Sequence, residues 1–279
     1  MTYRAIALDL DGTLLNSQQQ IDPKTRQLLQ VAREQQYQIY LVTGRHHSSA
    51  IGYHAELALE TPLICCNGAY SYDRINQEVL DGNPLNPEQA LKIVEMARKS
   101  GVHLLMYLSD AMTYEEPTQH LLSMQRHGQD RPENLRPRLR HLANFEQRIQ
   151  AGDTIWKFVL SDSHSDRLQQ LVSKLCDALP LSCEWSWHDR VDVALAGNCK
   201  GSRLAQCLIR DDISPRELIA FGDNYNDLSM LQLAAMGVAM GNADQNIKEQ
   251  ADRVTLSNEL SGIAHVLEPL LTSEFCSQE

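Results

Sequence analysis

The 279-residue sequence predicts an α/β protein: a doubly wound, Rossmann-like parallel sheet with an inserted α+β cap domain. Three observations predict it. Apolar strand-like runs alternate with amphipathic helical segments through the first third, the same rhythm resumes in the last third, and the texture changes between about Pro84 and His188. The expected division is therefore 1–83 for the first part of the core, 84–188 for the inserted cap and 189–279 for the rest of the core.

The elements follow in order. "YRAIALD" reads as a buried strand, and "DPKTRQLLQVAREQQ" as a helix. In that helix Asp22 caps the N-terminus, Pro23 occupies the first turn, and Leu28, Leu29, Val31 and Ala32 form the apolar face. "YQIYLVTGR" is a second strand, "SSAIGYHAELAL" a second helix, and "TPLICCNGAY" a third strand ending in a polar turn. This β-α-β-α-β order implies parallel strands with right-handed crossovers. In the insertion, "PEQALKIVEMARKSG" is helical, "VHLLMYLSD" and "AMTYEE" look like paired strands, and "TIWKFVLSD" and "LSCEWSWHD" like two more. The last third reads as helix "KGSRLAQCLI", strand "ELIAFGD" and helix "NDLSMLQLAAM", with Met230, Leu231, Leu233 and Met236 in the core. Short strands "GVAMGN" and "DRVTL" flank the helical "ADQNIKEQA".

Composition narrows the function. The formal net charge of -11 speaks against a nucleic-acid partner, which needs clustered Lys and Arg. Arg131, Arg136, Arg138 and Arg140 do cluster, but Pro132 and Pro137 interleave them, as in a solvated loop. No apolar run reaches the roughly 20 residues of a membrane span, and the N-terminus lacks the features of a secretory signal. The seven cysteines are scattered, with Cys65-Cys66 adjacent rather than spaced as CxxC, so neither a disulfide framework nor a zinc ribbon is expected. The expected location is the cytoplasm.

The chemistry lies at the predicted strand ends. Asp9 and Asp11 follow an apolar run that cannot bury two unpaired charges. Thr43-Gly44-Arg45, Asn67-Gly68 and Gly222-Asp223-Asn224 also stand at or just past strand ends. In an open parallel sheet those ends form one ligand-binding edge. Asp9 and Asp223 are hard oxygen donors suited to Mg²⁺. Of Asp9 and Asp11, two residues apart, one can attack while the other handles a proton. Gly12 lets the backbone turn sharply, Thr43 and the Gly44 amide offer neutral donors to phosphate oxygens, and Lys200 offers a positive charge. Asp9, Asp11, Asp223 and Asp227 together would repel a phosphate dianion, so a divalent cation plus Lys200 must reverse the field. An ordinary turn or a solvated helix start accounts for any one of these elements alone; their convergence does not have that explanation.

DxDGT (Asp9 to Thr13), Thr43 in "VTGR", Lys200 in "NCKG" and "GDNYND" (Gly222 to Asp227) resemble, in order, the four motifs of the haloacid dehalogenase superfamily. The insertion point and Asn67-Gly68 are similar to its Cof-type, class IIB branch. The resemblance implies that Asp9 is the nucleophile and that Asp11 protonates the leaving oxygen and then activates water. It implies Mg²⁺ held by the side chains of Asp9 and Asp223 and the backbone carbonyl of Asp11. Phosphate would be bound by the Leu10 amide, Thr43, Gly44, Lys200 and Asn226, with Asp227 orienting Lys200 or a metal-bound water. Arg45 and Asn67 are further candidates at the site. "TGRHH", "CCNGAY", "LLMYLSDAMTYEEPT" and "CEWSWHDRVDVA" resemble the pyridoxal phosphate phosphatases within that branch. That implies hydrolysis of pyridoxal 5'-phosphate, with side activity on sugar phosphates.

Other readings stand beside this one: a sugar-phosphate phosphatase or phosphomutase on the same core, or a phosphate-binding regulator without turnover. Keeping both Asp9 and Asp11 argues against the regulator. Tyr107, Tyr114, Trp187 and His188 are candidates to face a flat ring, with His188 and Asp189 placed to reach substrate where the cap returns to the core. Cys183, Trp185 and Trp187 share one strand face, read as packing inside the cap. His46-His47 reads either as a solvent-facing helix start or as a substrate contact. Ten scattered histidines give no zinc spacing. Oligomeric state is not legible.

Overall fold

In the computed structural model, residues 3–118, 121–123, 126 and 132–273 are described. Five parallel strands form the central sheet: β1 (Ala5–Leu8), β2 (Gln38–Leu41), β12 (Leu218–Gly222), β13 (Met236–Ala239) and β14 (Arg253–Val254), in the order β14-β13-β12-β1-β2. Every residue of β1 is buried, as a central parallel strand requires. Its alternation feeds two layers. Ile6 and Leu8 pack in the same cluster as Leu29, Ala50 and Val266, while Ala5 and Ala7 pack with Leu204, Leu208 and Met230. The first layer holds α1 (Pro23–Glu34), α2 (His47–Glu56) and α9 (Gly262–Ser273); the second holds α6 (Lys200–Arg210), α7 (Leu228–Leu233) and α8 (Gln245–Gln250). Asp22 caps α1 by accepting from the Thr25 amide at 2.8 Å, with Pro23 in the first turn, as expected.

The third expected parallel strand behaves differently. β3 (Leu63–Cys65) meets β2 through a single parallel bridge, Val42 to Ile64, and otherwise pairs antiparallel with β4 (Tyr70–Asp73). β4 continues into β5 (Glu78–Gly82), making a three-stranded sheet. Left-handed backbone at Cys66 and Asn67 (φ 52° and 56°) turns the chain back after only three strand residues.

A second, six-stranded sheet has the order β10-β11-β9-β6-β7-β8. It comprises β6 (His103–Leu108), β7 (Met112–Tyr114), β8 (Leu139–His141), β9 (Ile155–Ser161), β10 (Leu181–Trp187) and β11 (Arg190–Leu195). One face, with Leu104, Met106, Phe158, Leu160 and Val193, packs with residues of α3 (Pro87–Ser100), α4 (Phe145–Gln150) and α5 (Ser165–Ala178). The opposite face carries Leu105, Tyr107, Met112 and Val159 and joins the hydrophobic cluster of the central sheet. β11 pairs with β9 and β10, so this sheet runs to Leu195. We therefore propose that the insertion returns to the core between Leu195 and Lys200 rather than at residue 188.

Arg140 lies in β8 and pairs with Asp110, and Arg136 and Arg138 are exposed; Arg131 lies outside the described residues. The six cysteines among the described residues are free thiols. None of the described helices is long and apolar enough to cross a membrane.

Candidate active site

The carboxyl ends of β1, β2 and β12 deliver the predicted residues to one place. The Asp9 amide bonds the Phe221 carbonyl at 3.1 Å, extending the β1–β12 ladder by one residue and putting Asp9 beside Gly222 and Asp223. The backbone then swings away at Gly12, whose φ of +82° favours glycine. A Cβ there would stand 2.3 Å from Asp223 Oδ2, so glycine also makes room for that carboxylate. Thr13 Oγ1 donates to Asp223 Oδ1 at 2.8 Å.

Lys200 begins α6, and its ammonium is buried. Nζ lies 2.6 Å from Asp9 Oδ1 and 2.6 Å from Asp227 Oδ1. Asp227 Oδ2 accepts from the amides of Asp223 (2.9 Å) and Asn224 (3.0 Å), so both of its oxygens are engaged. The Lys200 ammonium is thus held between Asp9 and Asp227. One lysine shared by two acids cannot neutralise both. Burial raises Asp9 well above the usual carboxylate range; Lys200 opposes this, and Asp227, Asp223 and Asp11 add to it. Burial, reinforced by Asp227, pushes Asp223 up to about 7.

Those two acids are short of positive charge. Asp9, Asp223 and Asp227 each offer an oxygen within 4.8 Å of one another. With Asp227 already engaged, Asp9 and Asp223 are the carboxylates best placed for a hard divalent cation, and their depressed acidity is what such an ion would relieve.

Asp11 is half exposed and paired with Arg45: Nε donates to Oδ2 at 2.7 Å and a second nitrogen contacts Oδ1. Burial raises Asp11, but Arg45, with help from Gln19 and Lys200, outweighs it and holds the carboxyl below its ordinary value. The Leu10 and Gly44 amides donate to no described residue. Thr43 is buried, its Oγ1 accepting from the Arg45 amide at 3.1 Å.

Asn226 Nδ2 donates to Asn67 Oδ1 at 3.1 Å, and Asn67 Nδ2 donates to Asp192 Oδ2 at 3.2 Å. This chain reaches the six-stranded sheet. Lys157 of β9 donates to Asp192 Oδ2 and to the Gly44 carbonyl, both at 2.7 Å, and its Nζ lies 4.9 Å from the centre of the Tyr107 ring. Gly44 has no room for a side chain, since a Cβ would stand 2.8 Å from Asn67 Oδ1. Sequence reasoning missed Lys157 and Asp192, and also Asn242, whose Nδ2 donates to the Gly12 carbonyl at 2.8 Å. The signal was available for the first two: each is a charge flanked on both sides by apolar strand residues, in "IWKFVL" and "VDVAL".

Several expectations fail. His188 and Asp189 form the turn between β10 and β11; His188 is exposed and its ring packs on Trp187 at 5.7 Å. Trp185 and Trp187 are 38% and 62% exposed, not cap core, because β10 is the edge strand. Tyr114 packs on His141 and against the hydrophobic cluster shared with the central sheet. His46 and His47 are buried rather than solvent-facing. His46 bonds the Leu108 carbonyl at 2.9 Å, and His47 stacks on Tyr72 at 3.9 Å and bonds Tyr70 Oη. Burial holds them neutral, His46 at about 4 and His47 at about 2.

A cavity of about 1160 Å³ lies at the opposite strand ends, among Tyr3, Arg4, Tyr37 and Gln38. It contains none of this constellation.

Residues 6–267 match the model of a family described as haloacid dehalogenase-like hydrolase. The chain belongs to that family. Within it, the chain is 43% identical over 267 residues to pyridoxal phosphate phosphatase YbhA of Escherichia coli, covering 96% of this chain and 98% of that protein. It is 26% identical over 268 residues to 5-amino-6-(5-phospho-D-ribitylamino)uracil phosphatase YitU of Bacillus subtilis, covering 94% and 95%. A crystal structure of a haloacid dehalogenase-like hydrolase from Bacteroides thetaiotaomicron superposes with a TM-score of 0.83 at 28% identity, covering 96% of this chain and all of that one. The doubly wound core with an added sheet is thus the fold of this hydrolase family.

Proposed function

We propose that the protein is a Mg²⁺-dependent phosphomonoester hydrolase that acts through an aspartyl-phosphate on Asp9 and takes pyridoxal 5'-phosphate as its main substrate. The observation that carries the reaction is the convergence of Asp9, Lys200 and Asp223, with Asp11 two residues beyond the nucleophile. The substrate rests on the 43% likeness to a pyridoxal phosphate phosphatase over nearly the whole chain.

The Asp9 and Asp223 side chains and the Asp11 backbone carbonyl would hold Mg²⁺, which would supply positive charge against the phosphoryl oxygens. Lys200, Thr43, Asn226 and the amides of Leu10 and Gly44 bind the phosphate. Asp9 attacks phosphorus, the bond to the leaving oxygen breaks, and Asp11 gives that oxygen a proton. Water then attacks phosphorus, Asp11 takes its proton, and the bond to Asp9 breaks to release inorganic phosphate. Arg45 keeps Asp11 ionised, the form the second half needs; giving a proton in the first half requires that pair to open. The free thiols fit a reducing compartment, the cytoplasm.

The test is kcat/KM with Mg²⁺ for pyridoxal phosphate beside erythrose 4-phosphate, fructose 1,6-bisphosphate and glucose 6-phosphate. Pyridoxal phosphate should rank first. If it ranks last, the substrate is wrong; if none is hydrolysed, the reaction is.

A further inference from the structure

Glu184 stands directly opposite Asp192 in the antiparallel β10–β11 pair. Opposite residues share a sheet face, so Glu184 lies on the face that carries Asp192 and meets the catalytic strand ends. Asp192 is neutralised by Lys157 and hydrogen-bonded by Asn67. Glu184 has no such help. Its Oε2 is buried and has no hydrogen-bond partner among the described residues, an arrangement that costs free energy unless a ligand completes it. Burial pushes the carboxyl up to about 7, with Asp192 and Asp227 adding to the shift and Lys200 and Lys157 opposing it. Asp192 is linked through Asn67 to Asn226, so the face that carries Glu184 is the one joined by hydrogen bonds to the phosphoryl site.

A carboxylate there repels the phosphate, so it addresses the other end of the substrate. We propose that Glu184 is the specificity contact of the six-stranded sheet, accepting a hydrogen bond from a hydroxyl or protonated ring nitrogen on the leaving group. This deepens, and rests on, the phosphomonoesterase reading. Pyridoxal phosphate carries a protonated ring nitrogen and a sugar phosphate carries hydroxyls, whereas the p-nitrophenyl group carries no donor.

The experiment compares wild type, Glu184→Gln and Glu184→Ala, each with Mg²⁺, on pyridoxal phosphate, erythrose 4-phosphate and p-nitrophenyl phosphate. The quantity read is kcat/KM on each donor-bearing substrate divided by kcat/KM on p-nitrophenyl phosphate. In Glu184→Ala this ratio should fall on the order of ten-fold or more, mainly through KM, with Glu184→Gln between the two. An unchanged ratio overturns the assignment, and Glu184→Gln, which keeps the side-chain volume, decides it if Glu184→Ala does not fold. Wild type that ignores pyridoxal phosphate while the erythrose 4-phosphate ratio falls refutes the substrate and upholds Glu184. No turnover of any phosphomonoester by wild type refutes the phosphomonoesterase reading and this inference with it.

Discussion

Lys200 Nζ lies 2.6 Å from Asp9 Oδ1, with both side chains buried. Asp227 holds the same ammonium from the other side at 2.6 Å. Replacing Lys200 with Met would leave two buried carboxylates facing each other. Breaking a buried pair in this way costs about 3–5 kcal/mol. Urea unfolding at neutral pH should show a loss of that order, and phosphatase activity should disappear. A variant as stable as wild type would mean that water or another group already compensates the two acids.

The crowding of Asp9 and Asp223 predicts a metal requirement. EDTA should stop hydrolysis and Mg²⁺ should restore it, while Ca²⁺, with its larger and looser coordination, should substitute poorly. Mg²⁺ should also raise the melting temperature of wild type, and much less that of Asp223→Asn. Full activity after dialysis against EDTA would contradict the cation's role.

Lys157 and Asp192 tie the six-stranded sheet to Gly44 and Asn67. Lys157→Met should destabilise by about 3–5 kcal/mol, because it strands Asp192. Replacing both residues with apolar ones should cost less than the sum of the two single changes. Denaturant midpoints for the four proteins of the cycle check this; strict additivity would show that the pair does not act as a unit.

Stability should depend on pH through buried histidines. Burial holds His46 and His54 down to about 4 and His47 to about 2, and unfolding returns them to about 6.5. Below about pH 6.5 the unfolded chain therefore binds protons that the folded chain refuses. The stabilisation is complete above that value and is lost as pH falls toward 4, by about 2 kcal/mol at pH 5 for each of His46 and His54. The raised carboxyls of Asp9, Asp223 and Glu184 act in the opposite direction, so the histidine contribution is read by difference: from pH 7 to pH 5 the urea midpoint of wild type should fall relative to that of His54→Gln. Equal pH dependence in the two proteins would show that His54 does not titrate as described.

Legibility followed the length scale of the interactions. β1, α1 and β12 were readable because their apolar patterns and the Asp22 cap are local. Three of the four motifs were readable because each sits at the end of such a strand; the fourth, with Lys200, opens α6. β3 misled because its three residues read as a parallel strand, while left-handed backbone at Cys66 and Asn67 sends the chain into a hairpin. α5 and α9 went unread, although α5 has a clear amphipathic face with Leu168, Leu171 and Leu175 buried. The Lys157–Asp192 pair joins residues 35 apart, and its link to Asn67 spans 125. No local pattern reports such partners. Glu184 looked like any polar residue between two tryptophans and a cysteine until the β10–β11 register set it beside Asp192.

The central claim is that Asp9 attacks phosphorus, and Asp9→Asn tests it most directly. The substitution keeps the volume, removes the attacking oxygen, and leaves Lys200 paired with Asp227. Release of inorganic phosphate from pyridoxal phosphate should be measured for wild type and Asp9→Asn side by side with Mg²⁺, with circular dichroism confirming that both are folded. The account predicts steady release by wild type and none above background by the folded variant. Release by Asp9→Asn at a rate near that of wild type would contradict it.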